Sequence, residues 1–113
     1  MPQKKLKQLK GLGVSPGIYK GKVVKVKVVK GLVKIKKGNV LVTNIPKLPY
    51  NTFTKRAGAI VTNEGGMLSH VANLAREFNT PCVVGTKTAT QALKNGNMVE
   101  VNADKSIIKI LKQ

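Results

Sequence analysis

Ala59-Ile60-Val61-Thr62-Asn63-Glu64-Gly65-Gly66-Met67-Leu68-Ser69-His70-Val71-Ala72-Asn73-Leu74-Ala75-Arg76-Glu77-Phe78 is the stretch on which the reading of this chain turns. A compact β-branched run reaches a Gly-Gly turn, and the chain's only histidine follows at once. Val71, Leu74, Ala75 and Phe78 then recur at i, i+3, i+4 and i+7, the apolar stripe of an amphipathic helix packed on a core. The spacing predicts a helix over 69–78, with Ser69 as N-cap. Asn79, which tolerates the left-handed conformation, and Pro81, which cannot continue a helix, mark its stop. His70 therefore falls in the first turn, where unpaired N–H groups and the positive end of the helix dipole favour an anion and a neutral imidazole. Gly65 and Gly66 allow backbone amides to approach such an anion without side-chain obstruction.

On the face of the helix that carries His70, Asn73 and Glu77 follow at i+3 and i+7, so Asn73 is placed to hydrogen-bond the ring or a group attached to it. Ser69 has two readings: a cap alone, or a contact to that group. A lone histidine is more often a surface or satisfied core residue than a nucleophile. The strand, two glycines and helix start around it shift the balance towards covalent capture of a phosphoryl group.

Outward from this centre, the chain reads as one domain of 113 residues. Residues 1–12 form a basic arm and 13–113 the folded domain. Strands are expected over 19–29, with Val24, Val26 and Val28 inward, and over 32–36, with Val33 and Ile35 inward. Others follow over 40–43, 59–62 and 81–84, and 98–101 with 106–111 read as a closing hairpin. Pro46 and Pro49 mark a loop before a short helix over 50–56, and a helical turn or two is expected over 89–94. This order gives a compact α/β domain with a small sandwich-like or barrel-like sheet.

Composition narrows the function further. A single cysteine, Cys82, excludes an internal disulfide framework and suits a reducing compartment; in its apolar strand it reads as a small buried hydrophobe. One His, one Cys and four scattered carboxylates offer no metal-ligand cluster, and no nucleotide-binding glycine fingerprint occurs. No run approaches the length of a membrane span and the lysine-rich start lacks an apolar signal core, so a soluble cytoplasmic protein is expected. The net charge is +17, but 19 of the 21 basic residues are lysines and tryptophan is absent, which disfavours specific nucleic-acid recognition. The lysines on the strands read as a solvated face; the competing reading is a docking face.

The residues quoted above, with Pro81-Cys82-Val83-Val84-Gly85-Thr86, resemble the phosphohistidine signature of the mobile, swivelling domain of PEP-utilising enzymes. That family includes pyruvate phosphate dikinase, phosphoenolpyruvate synthase and enzyme I of the sugar phosphotransferase system. Gly13-Val14-Ser15-Pro16-Gly17 and Gly38-Asn39-Val40-Leu41-Val42-Thr43 are similar to the start and middle of the same domain. The resemblance implies a swivelling β/β/α fold whose His70 takes a phosphoryl group at one site and delivers it at another. Gly65, Gly66 and Ser69 are expected to shape the phosphate pocket, with Asn73, which stands where the family usually has an aliphatic residue, as a helper. The resemblance also implies a stand-alone carrier that binds no cofactor alone. Separate ATP-binding and PEP/pyruvate-binding subunits would supply substrates and Mg²⁺. Leu68 stands where the family usually has the threonine phosphorylated in some dikinases, so that regulation is expected to be absent. The alternative function is a non-catalytic, lysine-rich interaction module that binds an acidic partner or nucleic acid.

Overall fold

A computed structural model describes residues 8–113. In chain order the elements are β1 (Gln8–Lys10), β2 (Leu12–Ser15), β3 (Ile18–Val26), a 3-10 helix (Val29–Lys34), β4 (Val40–Thr43), α1 (Thr52–Lys55), β5 (Ala59–Thr62), α2 (His70–Glu77), β6 (Cys82–Val84), α3 (Ala89–Ala92), β7 (Met98–Asn102) and β8 (Ile107–Lys112). The strands lie in the order β1-β8-β7-β3-β4-β5-β6-β2. Strands β3 to β6 are parallel neighbours, whereas β7 and β8 pair antiparallel and join the block through β3.

Side-chain alternation splits the interior into two cores. Along β4, Leu41 enters one core while Val40 and Val42 enter the other; on β5, Ile60 opposes Ala59 and Val61; on β6, Cys82 and Val84 oppose Val83. A strand buried on both faces needs a layer on each side. Helix α2 covers one face through Val71, Ala72, Leu74 and Ala75. The folded-over β7–β8 hairpin covers the other through Val99, Val101 and Ile108. The result is an α/β domain in β/β/α layers.

Four elements differ from their sequence expectation. The lysine-alternating run over 19–29 leaves the sheet at Val26, and Val28 is exposed rather than inward; Gly21, Val23 and Val26 are the buried positions. The segment expected as a strand over 32–36 is the 3-10 helix, which buries Leu32 and Ile35 and exposes Val33. Its period-two pattern is short, and Gly31 just ahead of it closes a turn by donating to the Val28 carbonyl. Residues 8–10, placed in the basic arm from composition, pair with β8 as β1, and Leu9 is buried; residues 1–7 lie outside the described residues. The short helix expected over 50–56 is confined to α1, whose N-cap Asn51 accepts from the Thr54 amide.

The edge strand β2 runs against the β7–β8 turn. Gly11 N–H donates to the Ser106 carbonyl and Gly13 N–H to the Ser106 hydroxyl. The Ala103 carbonyl lies where a β-carbon on residue 13 would stand. Gly13→Ala is therefore expected to lower stability by about 1–3 kcal/mol through forced backbone separation. Urea unfolding checks this, and an unchanged midpoint would mean that the edge contact carries no weight.

Candidate functional site

The site grows out of the parallel block. Because β4, β5 and β6 run the same way, the loops that follow them meet at one edge of the sheet, where open α/β sheets place their ligands. The chain leaves β5 at Thr62, whose hydroxyl donates to the Glu64 carbonyl at 2.5 Å. Asn44, from the loop after β4, accepts from the Glu64 amide at 3.1 Å. Behind them, the Asn63 amide group donates to the Thr90 hydroxyl at 2.8 Å. The turn then opens at Gly65, whose φ of 118° belongs to the region glycine favours.

Ser69 caps α2. Its hydroxyl accepts from the Ala72 amide at 3.3 Å and donates to the Gly66 carbonyl at 2.8 Å, so of the two sequence readings the cap is the one its hydrogen bonds occupy. Asn79 ends the helix in the left-handed conformation at φ 54°, and Phe78 rests half-buried on the core. No helix among the described residues is long and apolar enough to cross a membrane.

His70 opens α2 with its side chain exposed. The ring is nevertheless held. Its Nε2 lies 2.7 Å from the Leu48 carbonyl oxygen, and Tyr50 meets it edge-on with centroids 5.7 Å apart. A carbonyl oxygen can only accept, so Nε2 carries a proton, and in the neutral tautomer that makes this contact the lone pair is on Nδ1. Tyr50 in turn packs edge-on against Phe78, at 5.5 Å, and the Lys55 ammonium stands 6.0 Å from the Phe78 ring.

The other expected site residues divide. Gly66 is open, with no heavy atom within 4 Å of where a side chain would begin, whereas Gly65 backs onto Ser69 and Val84. Asn73, expected beside the imidazole, gives its side-chain oxygen to Arg76 at 3.2 Å. The reason is the guanidinium: with five fixed donors, Arg76 also bonds the Val14 carbonyl from Nε and the Met67 carbonyl from Nη2, both at 2.8 Å. It thus braces the glycine turn against β2 and α2. A cavity of about 270 Å³ adjoins the turn, lined by Asn44, Ile45, Pro46, Thr62, Glu64 and Ser69. His70 is not on its wall, and the Glu64 carboxylate makes it a poor place for a phosphate.

Leu48 and Tyr50 escaped the sequence reading. The contact from Leu48 is a backbone carbonyl, which no residue type announces; Tyr50 offered only an aromatic ring beside a proline. Among the described residues no three His, Cys, Asp or Glu side chains gather as a metal site.

The family described as "PEP-utilising enzyme, mobile domain" matches residues 35–106. This chain belongs to that family. Over 100 residues it is 48% identical to a probable phosphoenolpyruvate synthase of Archaeoglobus fulgidus and 47% identical to the phosphoenolpyruvate synthase of Pyrococcus furiosus. Each match covers 88% of this chain but only 13% and 12% of the relative, so the chain spans about an eighth of their length. Among solved structures, an Enzyme I protein superposes with a TM-score of 0.58 at 29% identity, over 70% of this chain and 33% of that one. Aconitase X of Thermococcus kodakaraensis superposes with a TM-score of 0.67 at 23% identity, over 93% of this chain and 98% of that one, and shares the fold.

Cys82 lies on the core side of β6, fully buried. Burial pushes its thiol up from 9.0 to about 12, against a smaller downward pull from the Arg76 guanidinium. A thiol in this state is a poor nucleophile at neutral pH. Between those two values the unfolded chain releases a proton that the folded chain keeps, so this contribution to stability is full below pH 9 and is lost as pH rises. The expected loss is about 1.4 kcal/mol per pH unit. Urea unfolding of wild type and Cys82→Ala between about pH 9 and pH 11 checks it: wild type should weaken faster, and parallel curves would show that the thiol ionises in the folded state.

Proposed function

We propose that this mobile domain is a phosphoryl carrier: His70 accepts a phosphoryl group at one active site and delivers it at another. What supports the reading is the placement of His70, exposed at the first turn of α2 and oriented by the Leu48 carbonyl, within a family of PEP-utilising enzymes. In the forward step an imidazole nitrogen lone pair attacks phosphorus. A P–N bond forms as the bond from phosphorus to the donor's leaving oxygen breaks. Acceptance on Nδ1 leaves the Leu48 contact intact. Acceptance on Nε2 requires the ring to leave the Leu48 carbonyl and give up its proton first.

The donor and acceptor sites lie on other domains or subunits, one holding a nucleotide and one holding PEP or pyruvate, and Mg²⁺ belongs with them. This chain's part is to present the nucleophile. The first-turn amides of α2 and the open backbone at Gly66 favour the dianion that arrives there, and Ser69 keeps the turn in register rather than holding phosphate. The strongly positive surface speeds encounter with phosphate-bearing sites. The lysine-rich module without catalysis is the weaker reading, because it leaves the held histidine without a role.

Treatment with phosphoramidate, a small phosphoryl donor that needs no partner, tests the proposal. Wild type is expected to take up phosphate that is labile in acid and stable in base, and His70→Ala to take up none. Label that persists in His70→Ala, or no label on wild type, overturns it.

A further inference from the structure

Leu68 is 87% exposed, immediately before the cap of α2; Met67 before it is 49% exposed, and Tyr50, at the His70 ring, 51%. Large aliphatic side chains at such exposure are ordinary on loose loops, but this turn is not loose. The Met67 carbonyl is held by Arg76, and the Ser69 amide and hydroxyl both donate to the Gly66 carbonyl. The backbone that presents Leu68 is thus fixed on both sides of it. Tyr50 stands edge-on against the His70 ring. Three exposed apolar groups, two just before His70 in the chain and one against its ring, therefore make up a collar. Lys47 lies exposed in the Tyr50 loop, and the Lys55 ammonium sits beyond Phe78.

Resting on the carrier reading, we infer that Leu68, Met67 and Tyr50 form a docking surface for the domain that holds the phosphoryl donor. Leu68 seats in an apolar recess beside the donor's phosphate. Position selects this occupant: a donor that brings phosphorus within bonding distance of His70 must lie against residues two and three positions away. Charge selects it as well, since a collar flanked by lysines complements a site that carries phosphate, whereas a second copy of this chain would bring another net charge of +17. The length of the relatives agrees, because some seven-eighths of each synthase lies outside the matching region. Seating the collar also removes water from around the transferring group, which strengthens each electrostatic contact to it.

The test compares two donors on wild type and Leu68→Ala. With phosphoramidate, both proteins should label at the same rate, because a small donor needs no recess. With full-length phosphoenolpyruvate synthase of Pyrococcus furiosus and radiolabelled PEP, transfer to Leu68→Ala should fall about tenfold in kcat/KM, the scale set by burying one large aliphatic side chain. Urea midpoints of the two proteins should coincide, since the Leu68 side chain is exposed. Equal transfer from the synthase to both proteins overturns the docking surface. So does absence of transfer to wild type that phosphoramidate labels. Failure of phosphoramidate to label wild type instead removes the carrier reading beneath it, so the two failures are distinguishable.

Discussion

The parallel pairing of β4, β5 and β6 is the constraint on which the rest depends. Three strands that run the same way must send their connections out at the same edge, and each connection here supplies one part of the site. The loop after β4 brings the Leu48 carbonyl and Tyr50; the loop after β5 brings the glycine turn and the capped helix; the loop after β6 brings Thr86, which closes the ends of the strands by donating to the Thr62 carbonyl. A slip of one residue in any pairing would reverse which side chains face each core. Leu41, Ile60 and Cys82 on one face against Val42, Val61 and Val83 on the other make such a slip costly.

Within that frame, rigidity and exposure are divided among residues. Arg76 distributes its donors over β2, the glycine turn and Asn73, so the turn is tied on its inner side while its outer side remains open. The imidazole has one hydrogen bond and one aromatic neighbour, which is enough to set its tautomer without burying it. A carrier has two opposing demands: the nucleophile must be oriented, and it must still be reachable from two different sites. A ring held by one backbone carbonyl at the tip of a braced turn meets both.

Much of this was legible in the sequence, for particular reasons. The stripe of Val71, Leu74, Ala75 and Phe78 fixed α2 because apolar groups at helical spacing have one way to face a core, and Ser69 and Asn79 announced its ends through their hydrogen-bonding chemistry. The β5 strand and the hairpin of β7 and β8 were equally plain. The 3-10 helix was misread because Val33 and Ile35 at alternate positions imitate a strand, while its burial of Leu32 and Ile35 is decided by packing against β3 and α1. In the candidate site, the place of His70 at the first turn of α2 and the glycine turn ahead of it were legible from residue type. The Leu48 contact was not, since it arises from a main-chain carbonyl brought near by topology. Asn73 was assigned to the ring by its spacing, but Arg76 is also three residues away, on the other side, and a charged donor is the stronger partner for an amide oxygen.

The central claim is that a parallel-sheet edge holds the imidazole of His70 ready to receive phosphorus. Two-bond ¹H–¹⁵N correlation spectra of the histidine ring, recorded before and after exposure to phosphoramidate, test it most directly. The account predicts a resting ring that carries a proton on Nε2, followed by loss of that pattern and a ring nitrogen coupled to phosphorus. A resting ring protonated on Nδ1 alone would contradict the contact with Leu48, and a spectrum unchanged by the donor would contradict the carrier itself.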